Sequence, residues 1–417
     1  MFKKKYIEQP QYYWEKSSYI IAITDDEEKD LLKEALNILQ NSKEFKIIED
    51  HIDTIKQTIT MKLKYQKEVY EIGFFVGNIN VPPYYLNNIP VSPEEKERIQ
   101  NSHKGLTIFM SFNKDFKKSF FIELKLATLL VPNLMAIIDE SAERLFPRQW
   151  VKMTTTSKEL PSAKDLFSIQ AIVGKNNQVW LHTHGLARCG LTELEILDSP
   201  KEMSQHHFNI LNTYAMYLID KKEPTNEKAS YIGLLSNNHP IVVTSVPWTE
   251  ALCQFKNLKT GGKLDRKNGH NSRTSIIFLY KNEEDEQNDI VSKVSIYDDL
   301  WMDNPLFFIS DEETKRMKNV AIERFDYVKK AFKNKNSILL KIGLPMKEKG
   351  QFEHIWFEIL ELKDDKFKAR LTQEPYYFPD IHVGYENWYQ IEDITDWIIY
   401  TEKYTITPDN AYILDQE

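Results

Sequence analysis

Apolar residues recur along this chain with two periods, and the switches between them mark out the elements. The run Ser18–Thr24 (SYIIAIT) reads as a strand, and after it Leu31, Leu32, Ala35, Leu36 and Leu39 fall on one helical face. Acids fill the first turn of that helix, where its dipole favours them, and Thr24 with Glu27, or Asp25 with Glu28, forms a candidate capping box. Strand-like runs follow at Phe45–Asp50, Thr54–Tyr65 and Val69–Gly77, a βαββ order that predicts an antiparallel sheet. Ser92-Pro93-Glu94-Glu95 is a helix start. Gly105–Phe112 reads as another strand, and Phe116–Phe146 as mainly helical with a break at Val131-Pro132. These elements make a first domain of residues 1–155.

Residues 156–308 make a second. Leu166–Gly174 and Val179–Leu186 flank the turn KNNQ as a hairpin, and Leu191–Leu197 continues as a strand. Ser199-Pro200-Lys201-Glu202 repeats the helix-start pattern, and Met203, Ile210, Leu211, Tyr214 and Leu218 mark an apolar face that also holds His207. Strands are expected at Tyr231–Ser236, Pro240–Val246, Thr274–Tyr280 and Val291–Tyr297. In residues 309–417, Ser310 opens a helix whose buried face runs from Met317 to Phe332. The strands Ser337–Pro345, His354–Leu362 and Lys366–Leu371 follow, the last two joined at Asp364-Asp365. The fold class is α+β: largely antiparallel sheets flanked by helices, with a small β-rich C-terminal module.

Bulk properties narrow the function. A chain of 417 residues divides into two or three cores. The formal net charge of −8 argues against a general nucleic-acid binder. Two cysteines, Cys189 and Cys253, fit reduced thiols in a cytoplasm. The longest apolar run, Leu126–Ile138, is broken by Pro132 and too short to span a bilayer, and MFKKKYIEQPQYYW lacks the apolar core of a signal peptide. A cytoplasmic protein without a membrane partner is expected.

The candidate chemistry concentrates in WLHTHGLARCGLTELEIL, Trp180–Leu197. His182 and His184 lie two apart on a strand and share a face, as do Glu193 and Glu195 on the next. With His207 they offer a two-His, one-carboxylate or three-His site for a divalent metal such as zinc, whose open position would activate water. The structural reading of the same residues is a hydrogen-bonded network in which the histidines meet Glu193, Glu195 or backbone. Arg188 is a candidate for an ion pair or an anionic ligand, and Cys189 for either a buried apolar thiol or a nucleophile. Thr260–Arg273 carries Lys263, Arg266, Lys267 and Arg273, a solvated loop or a weak nucleic-acid contact. Near the C-terminus, Trp356, Trp388, Trp397, Tyr376, Tyr377 and Tyr385 either fill a small barrel-like core or face a partner, and Glu392, Asp393 and Asp396 add an acidic edge.

Two resemblances follow from these residues. Glu353, Trp356, the LTQEP turn, Gly384 and Ile394-Thr395-Asp396-Trp397 resemble the YegJ-like (DUF2314-like) domains of bacteria; where those show Gly-Asp, this chain has Gly384-Tyr385. The Trp180–Ile196 phrase resembles a second bacterial family of unknown function, DUF4026-like, often joined to a YegJ-like domain. Neither implies a reaction. A looser likeness to bacterial immunity proteins implies toxin immunity or phage defence. The leading expectation is a non-catalytic interaction protein with another protein as partner and no cofactor. A metal-dependent hydrolase centred on His182 and His184 and a nucleic-acid contact through residues 263–273 are the alternatives.

Overall fold

The computed structural model of the chain describes residues 17–25, 30–53, 57–87, 89–174, 177–221, 229–255, 258, 260–269, 273–302, 305–346 and 352–416. Three sheets, mostly antiparallel, are flanked by helices, the α+β class that the periodicity implies.

The first sheet contains β1 (Ser17–Thr24), β2 (Phe45–Asp53), β3 (Thr58–Tyr65), β4 (Glu68–Asn78), β5 (Lys104–Ser111), β6 (Leu134–Asp139) and β7 (Arg144–Pro147) in the order β2-β3-β4-β5-β1-β6-β7. Helices α1 (Leu31–Gln40) and α3 (Phe116–Leu130) pack on it, while α2 (Pro93–Gln100) precedes β5 and α4 (Arg148–Thr156) follows β7 in the chain. Asp30 caps α1, its side chain accepting from the Lys33 N–H; the capping boxes with Glu27 and Glu28 fall outside the described residues. Ser92 caps α2, as its Ser-Pro-Glu-Glu start implies. Phe116–Phe146 is not one broken helix. Beyond Leu130 the chain turns into the β6–β7 hairpin, because Leu134–Asp139 is buried on both faces and so lacks the alternation that would mark a strand.

The second sheet runs β14-β11-β12-β13-β10-β9-β8. Its strands are β8 (Ser168–Val173), β9 (Gln178–His184), β10 (Glu193–Pro200), β11 (Ser230–Leu234), β12 (Pro240–Pro247), β13 (Thr274–Tyr280) and β14 (Leu306–Phe307). Only β10 and β13 pair in parallel. Helix α5 (Ser204–Lys221) covers β9, β10 and β11 with Ile210, Leu211, Tyr214 and Leu218, the face its 3.6-residue spacing marks. The short helices α6 (Trp248–Ala251), α7 (Glu283–Gln287) and α8 (Asp298–Trp301) decorate this sheet. Val291–Tyr297, expected as a strand, contributes one bridge from Ser292 to Leu279 and then a 3₁₀ turn.

The third sheet, order β18-β17-β16-β15-β19-β20, comprises β15 (Ser337–Pro345), β16 (Phe352–Leu362), β17 (Lys366–Leu371), β18 (Glu386–Gln390), β19 (Ile394–Tyr400) and β20 (Thr405–Ile406). Helices α9 (Asp311–Glu323) and α10 (Phe325–Lys333) pack against β15 and β19; the single expected helix is divided at Arg324. Backbone contacts divide the chain into two compact units. One comprises the chain up to Leu86, Arg98–Arg148 and Pro161–Ile309; the other comprises Asn87–Glu97, Gln149–Leu160 and the chain from Ser310. Among the described residues no helix is long and apolar enough to cross a membrane.

Candidate functional site

The Trp180–Leu197 segment folds as the strand, glycine turn and strand that its pattern implies: β9, a 3₁₀ turn at Leu186–Cys189, then β10, with Glu195 opposite His182. Gly185 enters the turn at φ +114°, and a Cβ there would lie 2.5 Å from the Leu166 carbonyl oxygen, so no other residue fits without backbone movement. The turn drives Arg188 into the protein. Its guanidinium makes a bidentate pair with Asp139 (Nη1–Oδ1 3.0 Å, Nη2–Oδ2 2.9 Å), donates to Ser18 Oγ at 3.1 Å and to the Leu166 carbonyl, and lies over the Phe120 ring. Ser18 in turn donates to Glu123 Oε2 at 2.6 Å. Asp139 and Ser18 belong to the first sheet, so this arginine fastens the second sheet to the first. Burial pushes the Glu123 carboxyl up to about 8, opposed by Arg188 and Ser18.

Glu193 is engaged within its own turn and Glu195 by an arginine distant in sequence. Glu193 accepts from Thr183 Oγ1 (2.6 Å) and from the backbone N–H groups of Gly185 and Ala187 (2.9 Å each), so it closes the glycine turn; burial raises its carboxyl above the usual range. Glu195 receives both Nη groups of Arg266, one at 2.8 Å. Arg266 is itself buried over Trp248 and Trp180. The basic loop therefore does not stay wholly in solvent: Arg266 turns inward, while Lys263 and Arg273 are exposed. The histidines are not among the partners of Glu193 or Glu195. His182 and His184 continue a same-face ladder from Trp180, with ring centroids 4.6 and 4.9 Å apart, and His184 Nδ1 lies 3.8 Å from Glu143. Among the described residues no group of three or more His, Cys, Asp or Glu side chains is arranged to hold a metal ion. The Cys189 thiol is buried and pushed up to about 12, which keeps it protonated at neutral pH.

His207 joins residues that its position in the chain does not point to. Ser199, expected to open a helix, stays in β10 beside a register shift, where Asp198 adopts φ +61°. Its Oγ lies 2.8 Å from His207 Nδ1, and His207 Nε2 lies 3.0 Å from Asp298 Oδ1. Hydroxyl, imidazole and carboxylate have the connectivity of a hydrolytic triad. Yet Ser199 is only 1 % exposed, which leaves an acyl group no approach to its oxygen. The trio satisfies buried polar groups where α5, β10 and α8 meet.

In the C-terminal sheet the expected residues separate. Trp397 is fully buried, its indole N–H donating to the Ala321 carbonyl at 3.0 Å. Trp356 and Asp396 flank Lys341 in register, and Trp388 lies on the edge strand β18 beneath Lys363, 4.3 Å away. The segment between β17 and β18, which holds the LTQEP turn and the tyrosines expected either in a core or on a partner surface, exposes Tyr376 (85 %), Tyr377 (57 %), Val383 and Tyr385. Its conformation is held by carboxylates. Glu353 accepts from the N–H groups of Tyr376 (2.5 Å) and Tyr377 (2.9 Å), and Glu374 from Val383 N–H and His382 Nδ1.

Residues 18–161 match the family model described as protein of unknown function (DUF4026) N-terminal, and residues 169–278 its C-terminal counterpart. Residues 310–409 match that of an uncharacterized protein conserved in bacteria (DUF2314). No curated protein and no solved structure matches the chain.

Proposed function

The chain belongs to the DUF4026 family and ends in a DUF2314 domain, and from that premise we propose that it is a cytoplasmic, non-catalytic interaction protein whose partner is another protein. The observation that supports this reading is how its polar and aromatic residues are divided. Arg188, Glu193, Glu195 and His207 are committed to interior pairs, whereas the DUF2314 domain presents exposed tyrosines on a loop braced by Glu353 and Glu374. Rigid, exposed aromatic side chains are the residues that dominate protein–protein hot spots. The LTQEP turn and Glu353, by which the domain resembles its family, are what hold that loop.

The test is capture from native extract with the full chain carrying a photo-crosslinking residue at Tyr376, followed by titration of the captured protein. A saturable, stoichiometric complex is expected, and the absence of any specific cross-link would sink the reading. A defence role is its narrower form, implied by the looser likeness to immunity proteins. It requires that co-expression of the chain relieves a toxicity of the captured partner.

A further inference from the structure

We infer that the tyrosine loop of the C-terminal domain docks a lysine- or arginine-rich surface of its protein partner. The inference rests on the interaction reading above and adds the chemistry of the partner. It begins with charge. From Leu371 to Glu402 the chain carries Glu374, Asp380, Glu386, Glu392, Asp393, Asp396 and Glu402 and not one lysine or arginine. That stretch holds a formal charge of −7 in a chain whose total is −8. All of these acids except Asp396 are exposed. Lys368 and Arg370 offset Glu386, but Glu374 and Asp380 stand within the loop itself, where His382 is the one basic side chain.

Tyr376 and Tyr377 meet edge to face with centroids 4.8 Å apart, and both are open to solvent. Their backbone N–H groups are bound by Glu353, so the rings stand on a fixed base. An exposed aromatic pair attracts a guanidinium or ammonium through the ring quadrupole while its edges bury the partner's methylene stem. Glu374 and Asp380, exposed in the same loop, steer such a partner and disfavour an acidic one. An apolar ligand would gain from the tyrosines and nothing from the acids; a nucleic-acid or acidic protein surface would be repelled. A basic protein surface uses both.

The experiment uses the full chain and two fluorescein-labelled probes of equal length, an Arg-Ser repeat peptide and its Glu-Ser counterpart, read by anisotropy. Saturable binding of the arginine peptide that weakens with salt is expected. Tyr376→Ala with Tyr377→Ala should weaken it about tenfold, Asp380→Lys should weaken it too, and the exposed control Tyr84→Ala should leave it unchanged. No saturable binding, equal binding of the glutamate peptide, or wild-type binding by the double tyrosine variant would overturn the inference. The cross-linked partner separates this failure from that of the broader reading. A contact segment rich in Lys and Arg supports the inference, and a specific cross-link to an acidic or uncharged segment overturns it while leaving an interaction protein in place.

Discussion

Arg188 and Asp139, 49 residues apart, form a bidentate ion pair in which neither side chain is exposed to solvent. Removing one partner strands the other charge in the interior, so Asp139→Ala should cost about 3–5 kcal/mol of stability. Arg188→Met combined with Asp139→Leu should cost less than the sum of the single changes, because neither charge is left alone. Urea denaturation of wild type, Asp139→Ala, Arg188→Met, Asp139→Leu and the double variant measures both quantities, and strict additivity would show that the pair is not coupled.

Glu123 sits beside that pair with its folded carboxyl at about 8 against an ordinary 4.5, through burial. Between those values the folded protein keeps a proton that the unfolded chain releases. This group's contribution therefore falls as pH rises, by about 1.4 kcal/mol per unit across the window, and levels off outside it. Glu123→Gln removes the titration. The difference in unfolding free energy between wild type and variant should slope with pH from 4.5 to 8; a difference that stays flat would contradict the assignment.

Glu195 anchors Arg266 across 71 positions of sequence. Glu195→Ala leaves the guanidinium buried among Trp180, Trp248 and the Gly261 carbonyl without its carboxylate. The Thr260–Arg273 loop should then open, with a stability loss of about 3–5 kcal/mol if the arginine remains inside and less if it escapes to water. Limited trypsin digestion at Lys263 and Arg266 distinguishes these outcomes. Cleavage no faster than in wild type would mean that the loop does not depend on this pair.

The same pairs mark where pattern reading stops. The KNNQ turn between two apolar runs made β9 legible and the two glycines marked the turn before β10, although both strands are buried on both faces. What the polar side chains of those strands bind was not legible. Asp139 and Arg266 reach them only because the sheets bring together residues far apart in sequence, and no local spacing encodes that. Leu134–Asp139 shows no two-residue period because it is buried on both faces. The C-terminal hairpins were legible because β16 and β17 each bury alternate residues. The tyrosine loop has no such period, and its shape comes from Glu353 and Glu374 bonding to its backbone.

The two cysteines should differ in reactivity. Cys253 is exposed, while Cys189 is buried with its thiol near 12. A thiol-reactive dye should label one equivalent rapidly in the native protein and the second only on unfolding, since the thiolate is the nucleophile. Cys253→Ser should abolish the fast phase. Rapid labelling of that variant would mean that the glycine turn around Cys189 opens readily.

His207 offers the last measurement. Burial lowers its pKa below the ordinary 6.5, and Asp298 pulls the other way. The unfolded chain therefore takes up a proton before the folded one does. The contribution of the neutral ring is complete above pH 6.5 and is lost as pH falls toward the folded value. Asp298→Asn removes the charge that favours imidazolium, so it should lower the folded pKa further and widen this window of acid destabilisation. The imidazole chemical shift of His207, followed by NMR from pH 8 to 5 in wild type and variant, reads the titration directly. A midpoint at or above 6.5 in wild type would mean that the Asp298 carboxylate outweighs burial, and acid would then stabilise the Ser199–His207–Asp298 trio rather than loosen it.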